Sequence, residues 1–413
     1  MSLATTPKLR VLISGAGIAG PCLAYWLSKT RLNTSITVLE RSSVPRPTGQ
    51  AVDIRGPAIS IIEKMGLLPA VRACNTTEEG TRIINASNKI VADFGKGDHF
   101  TAEYEILRAD LCGLLLNATK GLPDVQYRYG DYVTSLQQDE KKVNVTYNSG
   151  STETFDLIIG ADGSRSKIRS LILSKEAQKG CYNFIGQYIA YFSIPRNDSD
   201  TKHWYWYNAP SGLGLMIRPH RNEKTMGCYM VITTTGHGVT DPAVEEAMNS
   251  GPEAQKQFLH KRFQDAGWQA QRILSGMNTC DDFYMSRTAY VKLPQWTSGR
   301  AILLGDAAFA TFGIGTSLAI ESAYHLAGEL GKVQSSEDIP DALKRYEKVF
   351  RAVSAVNEGL PPGFPQIAFP QTAWAIRVRD GIAWAIGKSQ VYKLWPSDKP
   401  DTSSLPSYEW VGI

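Results

Sequence analysis

The sequence predicts a mixed α/β protein. A parallel sheet whose strands end in glycine turns is interrupted by an inserted antiparallel sheet and followed by C-terminal helices. Three observations carry this. Short apolar runs at 9–14, 35–39, 156–159 and 300–304 each stop at a glycine or an acid, as buried parallel strands do. Four strand-like runs at 188–194, 203–207, 214–218 and 227–233 are separated by turn residues such as Pro210-Ser211-Gly212 and Asn222-Glu223-Lys224. Beyond 340, apolar residues return in two helix-length segments, 342–355 and 374–384, around the break Pro361-Pro362-Gly363.

At 413 residues the chain has room for two or three domains of about 150 residues each. Hydrophobic residues make up 43% and charged residues 20%, which excludes wholesale disorder. Forty-four basic residues stand against forty acidic without a basic run, so neither nucleic acid nor an anionic membrane surface is indicated. A small-molecule ligand is expected instead. Cys22, Cys74, Cys112, Cys181, Cys228 and Cys280 are too widely spaced for a metal knuckle or disulfide framework and read as free thiols. His203, His220 and His237 are too far apart to pair on one helix, so no metal site is expected, and no GxSxG elbow marks a hydrolase. Without a signal pattern at 1–10 or an apolar run of about 18 residues, a soluble cytoplasmic protein with no transmembrane segment is expected.

The first element is a strand at 9–14 that runs into Gly15-Ala16-Gly17-Ile18-Ala19-Gly20, followed by a helix at 21–29. Gly15 permits the tight turn, Gly17 lets a pyrophosphate approach the backbone, and Gly20 lets helix and strand pack closely. The helix N-terminus supplies free N–H groups for the anion. A second strand at 35–39 ends in Glu40, placed to accept hydrogen bonds from adenosine ribose hydroxyls. This is a Rossmann-like dinucleotide site, and the motif alone leaves NAD and FAD open. Later, the strand at 156–159 enters Gly160-Ala161-Asp162-Gly163, and the strand at 300–304 enters Gly305-Asp306. A loop with Gly313 and Gly315 then opens a helix at 316–328.

In this order and at these separations, the three motifs resemble the class A FAD-dependent aromatic hydroxylases and monooxygenases, the para-hydroxybenzoate hydroxylase fold, over about residues 9–330. The resemblance implies a GR2-type, Rossmann-like FAD-binding domain from 1–80, 101–179 and 281–340. It implies a substrate domain from 81–100 and 180–280, with 341–413 as a C-terminal helical segment. Gly15, Gly17, Ala19, Gly20, Glu40 and Arg41 would hold the ADP end. Asp162 and Gly163 would form the second turn, and Gly305 and Asp306 would reach the ribitol. Gly313, Gly315 and Thr316 would bring a helix N-terminus to the flavin. Gln50, Val52 and Asp53 would pass the isoalloxazine edge, with Arg108 on the flavin side. Trp296, Gly299 and Arg300, leading into Gly305-Asp306, are similar in texture to fungal natural-product monooxygenases of secondary metabolism and to tetracycline-inactivating flavoenzymes.

The resemblance also implies the reaction. NADPH or NADH reduces FAD, dioxygen gives a flavin C4a-hydroperoxide, and a hydrophobic aromatic or polyketide-like molecule is hydroxylated or epoxidised in a monomer or homodimer. No side-chain base is obligatory. One departure stands out: the loop after Asp306 lacks the family's proline and is about three residues short. Phe309 and Phe312 are therefore expected to line the reaction pocket beside Gly313. That departure keeps open a family member with altered or lost oxygen activation, a non-redox enzyme or binding protein; a flavin oxidase or dehydrogenase is a further alternative. In the insertion, Trp204 and Trp206 share one face of their strand, and His203, Tyr205 and Tyr207 the other. One face is expected to roof the flavin pocket, with packing against a helix expected at 244–266 as the alternative.

Overall fold

A six-stranded sheet carries the nucleotide motifs. Its order is Thr297–Ser298, Ala301–Leu303, Leu157–Gly160, Leu9–Ser14, Thr34–Glu40 and Val125–Tyr129. Every pairing is parallel except the first, which is antiparallel. The computed structural model describes residues 8–45, 49–96, 101–356, 360–394 and 405–412. The first seven residues, 97–100 of the insertion and 395–404 of the C-terminal segment are among those that lie outside them. The central parallel strands Leu9–Ser14, Leu157–Gly160 and Ala301–Leu303 are buried along most of their length, as their apolar runs require. Helices Ala19–Ser28 and Gly315–Leu330 cover one side, and a three-stranded antiparallel meander, Val133–Gln138, Val143–Tyr147 and Thr152–Phe155, stands beside the sheet.

The inserted sheet has seven strands, in the order Tyr284–Val291, Tyr182–Pro195, Thr225–Thr233, Leu213–Pro219, Trp204–Ala209, Gly80–Ile84 and Ile90–Gly95. It is mixed where an antiparallel sheet was expected. Gly80–Ile84 joins Trp204–Ala209 in parallel, because the two strands come from separate excursions of the chain and no hairpin connects them. Tyr284–Val291 is its edge strand, although the expected boundary at 281 placed those residues with the FAD-binding domain. The helix expected at 244–266 is two, Pro242–Asn249 and Pro252–Phe263, broken where Gly251 takes φ +91° before Pro252.

The C-terminal segment also divides. Helix Ile339–Val356 buries Leu343, Tyr346 and Phe350 in the core of the parallel sheet. Helix Ala373–Ser389 instead lies on the inserted sheet, where Ala383 packs with Ile83, Ala92 and Phe94. Residues 405–412 return to the first domain. There the Tyr408 ring fills a slot that only a glycine at 328 leaves open, since a Cβ on Gly328 would lie 2.3 Å from the ring. No described helix is long and apolar enough to cross a membrane.

Candidate FAD site and reaction chamber

The first glycine turn is sterically obligatory. Gly15 has φ +115°, and a Cβ there would lie 2.3 Å from the Ala161 carbonyl oxygen. A Cβ on Gly20 would lie 2.0 Å from the Gly15 oxygen. Gly17 differs. The nearest group to a Cβ there is the Arg108 Nη2, at 3.9 Å, so the turn presents open backbone on that side. Helix Ala19–Ser28 starts in the turn with no side-chain cap, leaving its first N–H groups free. Glu40 braces the arrangement, its carboxylate accepting from the Ala16 N–H at 3.1 Å and the Ser42 N–H at 3.0 Å. Arg41 lies exposed beside it.

Arg108 begins helix Arg108–Thr119, and its N–H donates to the Gln50 carbonyl at 3.1 Å. Its guanidinium faces the Gly17 side of the turn and also acts on Asp306. Desolvation pushes the Asp306 carboxyl up and Arg108 pulls it down. Neither side chain has a salt-bridge partner among the described residues. The Asp306 Oδ1 sits 3.3 Å from where a Cβ on Gly315 would stand, at the uncapped start of helix Gly315–Leu330. Gly305, at φ +59°, would bring a Cβ to 3.3 Å from the Ala19 Cβ and 3.6 Å from the Ala319 Cβ, so small residues let the two helix starts converge. Two helix N-termini, an unpaired cation and an unpaired carboxylate therefore surround one glycine cradle. That donor set fits a cofactor with a pyrophosphate and a hydroxylated chain, which is FAD.

The inserted sheet presents Trp206, Met216, Tyr229, Val231 and Ile189 on one face, with Phe369 stacked on Trp206 at 5.1 Å. Trp204 stacks on Trp206 at 5.8 Å, and both indole N–H groups are buried without an acceptor among the described residues. Tyr207, on the opposite face, buries against the sheet's own helices. The Arg218 guanidinium lies 4.3 Å over the Trp204 ring. It is paired with Glu78 at 2.8 Å and with Glu105. Burial, opposed by Arg218, drives Glu105 up to about 7, and Thr76 donates to it at 2.7 Å.

The family model described as FAD binding domain matches residues 8–358. Monooxygenase CTB7 of Cercospora beticola is 34% identical, covering 98% of each chain. The chain belongs to this family of flavin-dependent monooxygenases. A second relative, the flavin-dependent monooxygenase eupH of a Phoma species, is 32% identical over 98% of this chain and 99% of its own. The solved tetracycline destructase Tet(51) superposes with a TM-score of 0.75 at 28% identity, covering 98% of this chain and all of its own.

Within the monooxygenase the structure gathers Gly15, Gly17, Ala19, Gly20, Glu40, Arg108, Gly305, Asp306 and Gly315 around one cradle. Thr316 lies half-buried in the first turn of its helix, and Gly313, at φ +85°, is open. Other expected contacts are spent elsewhere. Asp162 accepts from the Ser166 hydroxyl at 2.5 Å and the Lys167 and Ile168 N–H groups at 2.7 and 3.1 Å, so its carboxylate closes its own turn, beside Gly163 at φ +82°. Asp53 pairs with Arg55 at 2.8 Å, whose N–H donates to Ser317 at 2.9 Å and ties strand Ala51–Ile54 to helix Gly315–Leu330. Val52 is half-buried in that strand, paired with Ile106. The Gln50 side chain turns into the seam with the inserted sheet, its Oε1 2.5 Å from where a Cβ on Gly227 would stand.

Phe309 is a correction. Its ring is 5% exposed and lies 4.8 Å from Trp296 and 5.2 Å from Phe350, inside the hydrophobic core. Asp306–Phe309 forms a short helix, and its last position points away from the loop surface. Phe312 is exposed against Phe364 at 5.0 Å. Sequence reading missed Arg169, whose guanidinium donates to the Ala307 carbonyl at 3.0 Å and the Ser164 carbonyl at 2.7 Å, joining the second and third motifs. It also missed the Arg218, Glu78 and Glu105 cluster. Charged residues inside apolar strand runs, as in Tyr104–Leu107 and Leu213–Pro219, were the available signal, because a buried charge demands a partner.

Proposed function

We propose that this monooxygenase uses NADPH or NADH and dioxygen to hydroxylate or epoxidise a hydrophobic aromatic or polyketide-like molecule held between the FAD cradle and the Trp204–Trp206 face. The observation that carries the reading is that the unpaired Arg108 guanidinium faces Gly17 and acts on the unpaired Asp306 carboxylate, which stands at the start of helix Gly315–Leu330. Bound there, FAD would supply the redox chemistry: a hydride from the nicotinamide and one proton from solvent accompany the insertion of one oxygen atom, and the second oxygen leaves as water. The aromatic wall supports a planar substrate, and the likeness to a tetracycline destructase points the same way.

The chain's own residues bind, orient and exclude water. Arg108 and the start of helix Ala19–Ser28 balance phosphate charge, while Asp306 accepts from a cofactor hydroxyl. The first turn of helix Gly315–Leu330 offers free N–H groups and the positive end of a sixteen-residue helix to negative charge that builds on the flavin. The Trp204 and Trp206 N–H groups offer donors to a carbonyl or hydroxyl oxygen of the substrate. Phe312 and Phe364 shield the loop side, and with Phe309 in the core the short loop no longer argues for altered oxygen chemistry.

The test is to purify the protein, record its visible spectrum, and follow NADPH and NADH oxidation with a panel of phenols and polyketides. The reading expects a yellow protein whose NAD(P)H oxidation rises with at least one aromatic substrate and yields an oxygenated product. A flavin-loaded protein inert to both nicotinamides would refute it.

A further inference from the structure

Helix Ala373–Ser389 is apolar on both faces, with Ala383 and Ile386 packed inward on the inserted sheet. Its one ion pair, Arg379 with Asp380 at 2.8 Å, is turned inward with side chains 12% and 15% exposed. Its outward face carries Trp374 at 73%, Trp384 at 58%, Ile382 at 57% and Val378 at 43% exposure. A surface helix of a globular protein places these residues the other way round. Every other exposed residue on it is small or basic: Ala373, Arg377, Gly381, Ala385, Lys388 and Ser389. The exposed face has no acid.

We propose that this face docks peripherally on an anionic lipid surface. Two tryptophans beside basic side chains on one helix face suit the boundary between headgroups and acyl chains, where indole rings settle and lysine and arginine meet lipid phosphates. Charge selects this occupant over a second copy of the chain. In a twofold contact the face would meet itself and bring Arg377 and Lys388 against their own copies, with no exposed acid on the helix to offset them. The position fits a use. The residues that precede the helix, Ala368 and Phe369, pack on the Trp206 face, and Gln371 donates to the Thr233 carbonyl at 2.7 Å. A lipid-dissolved substrate would arrive beside the chamber wall. The docking itself does not depend on which molecule is oxidised.

The experiment is flotation of the FAD-loaded full chain with vesicles of phosphatidylcholine alone, and of phosphatidylcholine containing about one-third phosphatidylserine, at low and high salt. The proposal expects flotation with the serine lipid, weakened by salt. It expects a loss of about tenfold or more in Trp374→Ser/Ile382→Ser and a loss of the lipid-charge preference in Arg377→Gln/Lys388→Gln. FAD content and melting temperature should be unchanged in both, since all four side chains are exposed. Absence of flotation with either vesicle would overturn it. So would light scattering that shows a dimer which the Trp374→Ser/Ile382→Ser variant dissolves.

Discussion

Under the proposed function the two sheets would hold their ligands in different ways. The parallel sheet works through backbone, with turns in which a single Cβ would collide with a carbonyl, and only two unpaired charges, on Arg108 and Asp306, complete its cradle. The inserted sheet works through side chains, with Trp204, Trp206, Met216 and Tyr229 from three strands forming one wall. The first kind of site tolerates almost no substitution at its glycines. The second allows its substrate to change while the frame stays, because each wall side chain can be exchanged without altering a backbone turn.

That contrast can be broken most forcefully at Gly15. Gly15→Ala places a methyl 2.3 Å from the Ala161 oxygen and forces an L-residue to φ +115°. Strain of about 1–3 kcal/mol for the dihedral alone, with the overlap added, should leave little folded, flavin-loaded protein. A yellow, normally stable variant would show that the turn yields more than its geometry allows. Asp306→Ala should come next. It removes a carboxylate that no described side chain uses, so the protein should stay folded and lose most of its FAD on gel filtration. Full retention would remove Asp306 from the cofactor site.

The two loop phenylalanines sharpen the comparison, because they are three residues apart and belong to different regions. Phe309→Ala should cost about 3–5 kcal/mol as a core cavity, with flavin coupling little altered. Phe312→Leu should change stability by under about 0.5 kcal/mol while shifting product formed per NADPH consumed. Chemical denaturation and coupling assays on both variants separate the roles. Equal destabilisation by the two would contradict the placement of Phe309.

An effect seen only as a change with pH concerns helix Gly315–Leu330. Burial pushes the Glu321 carboxyl up to about 7 and holds the His325 imidazole down at about 4. A carboxyl raised on folding contributes stability that is full below its ordinary value of 4.5 and lost as pH rises through about 7. A histidine depressed on folding contributes stability that is present above its ordinary value of 6.5 and lost as pH falls through about 4. Where these windows overlap, folded and unfolded chains each carry one proton on the pair, and the opposite slopes cancel. Glu321→Gln should unmask the histidine, so stability rises by on the order of 2 kcal/mol from about pH 4.5 to 6.5 relative to the native protein. Urea midpoints across that range measure it, and parallel profiles for the two proteins would count against this protonation.

The sequence was most legible where sterics forbid alternatives. Gly15, Gly20 and Gly305 each sit where a side chain would collide or crowd a neighbour, so the motif and its structure are nearly the same statement. Four of the seven strands of the inserted sheet were legible as runs between turn residues, and alternation gave the division of Trp204 and Trp206 from Tyr207. Pairing across long separations was not. Gly80–Ile84 joins Trp204–Ala209 in parallel, and no local pattern records that partnership. The direction of a side chain at a helix end was equally hidden: Phe309 and Phe312 look alike in sequence and face core and solvent respectively. Carboxylates near a glycine motif also read alike, yet Asp162 and Asp53 spend theirs on local partners while Asp306 keeps its own free.

The central claim is that the chamber between the two sheets inserts an oxygen atom from dioxygen into its substrate. Turnover under ¹⁸O₂, using the aromatic compound that most stimulates NAD(P)H oxidation, tests this directly by mass spectrometry. The account predicts one labelled oxygen in the product and none when the label is supplied as water. An oxidised product without label, formed together with hydrogen peroxide, would contradict it.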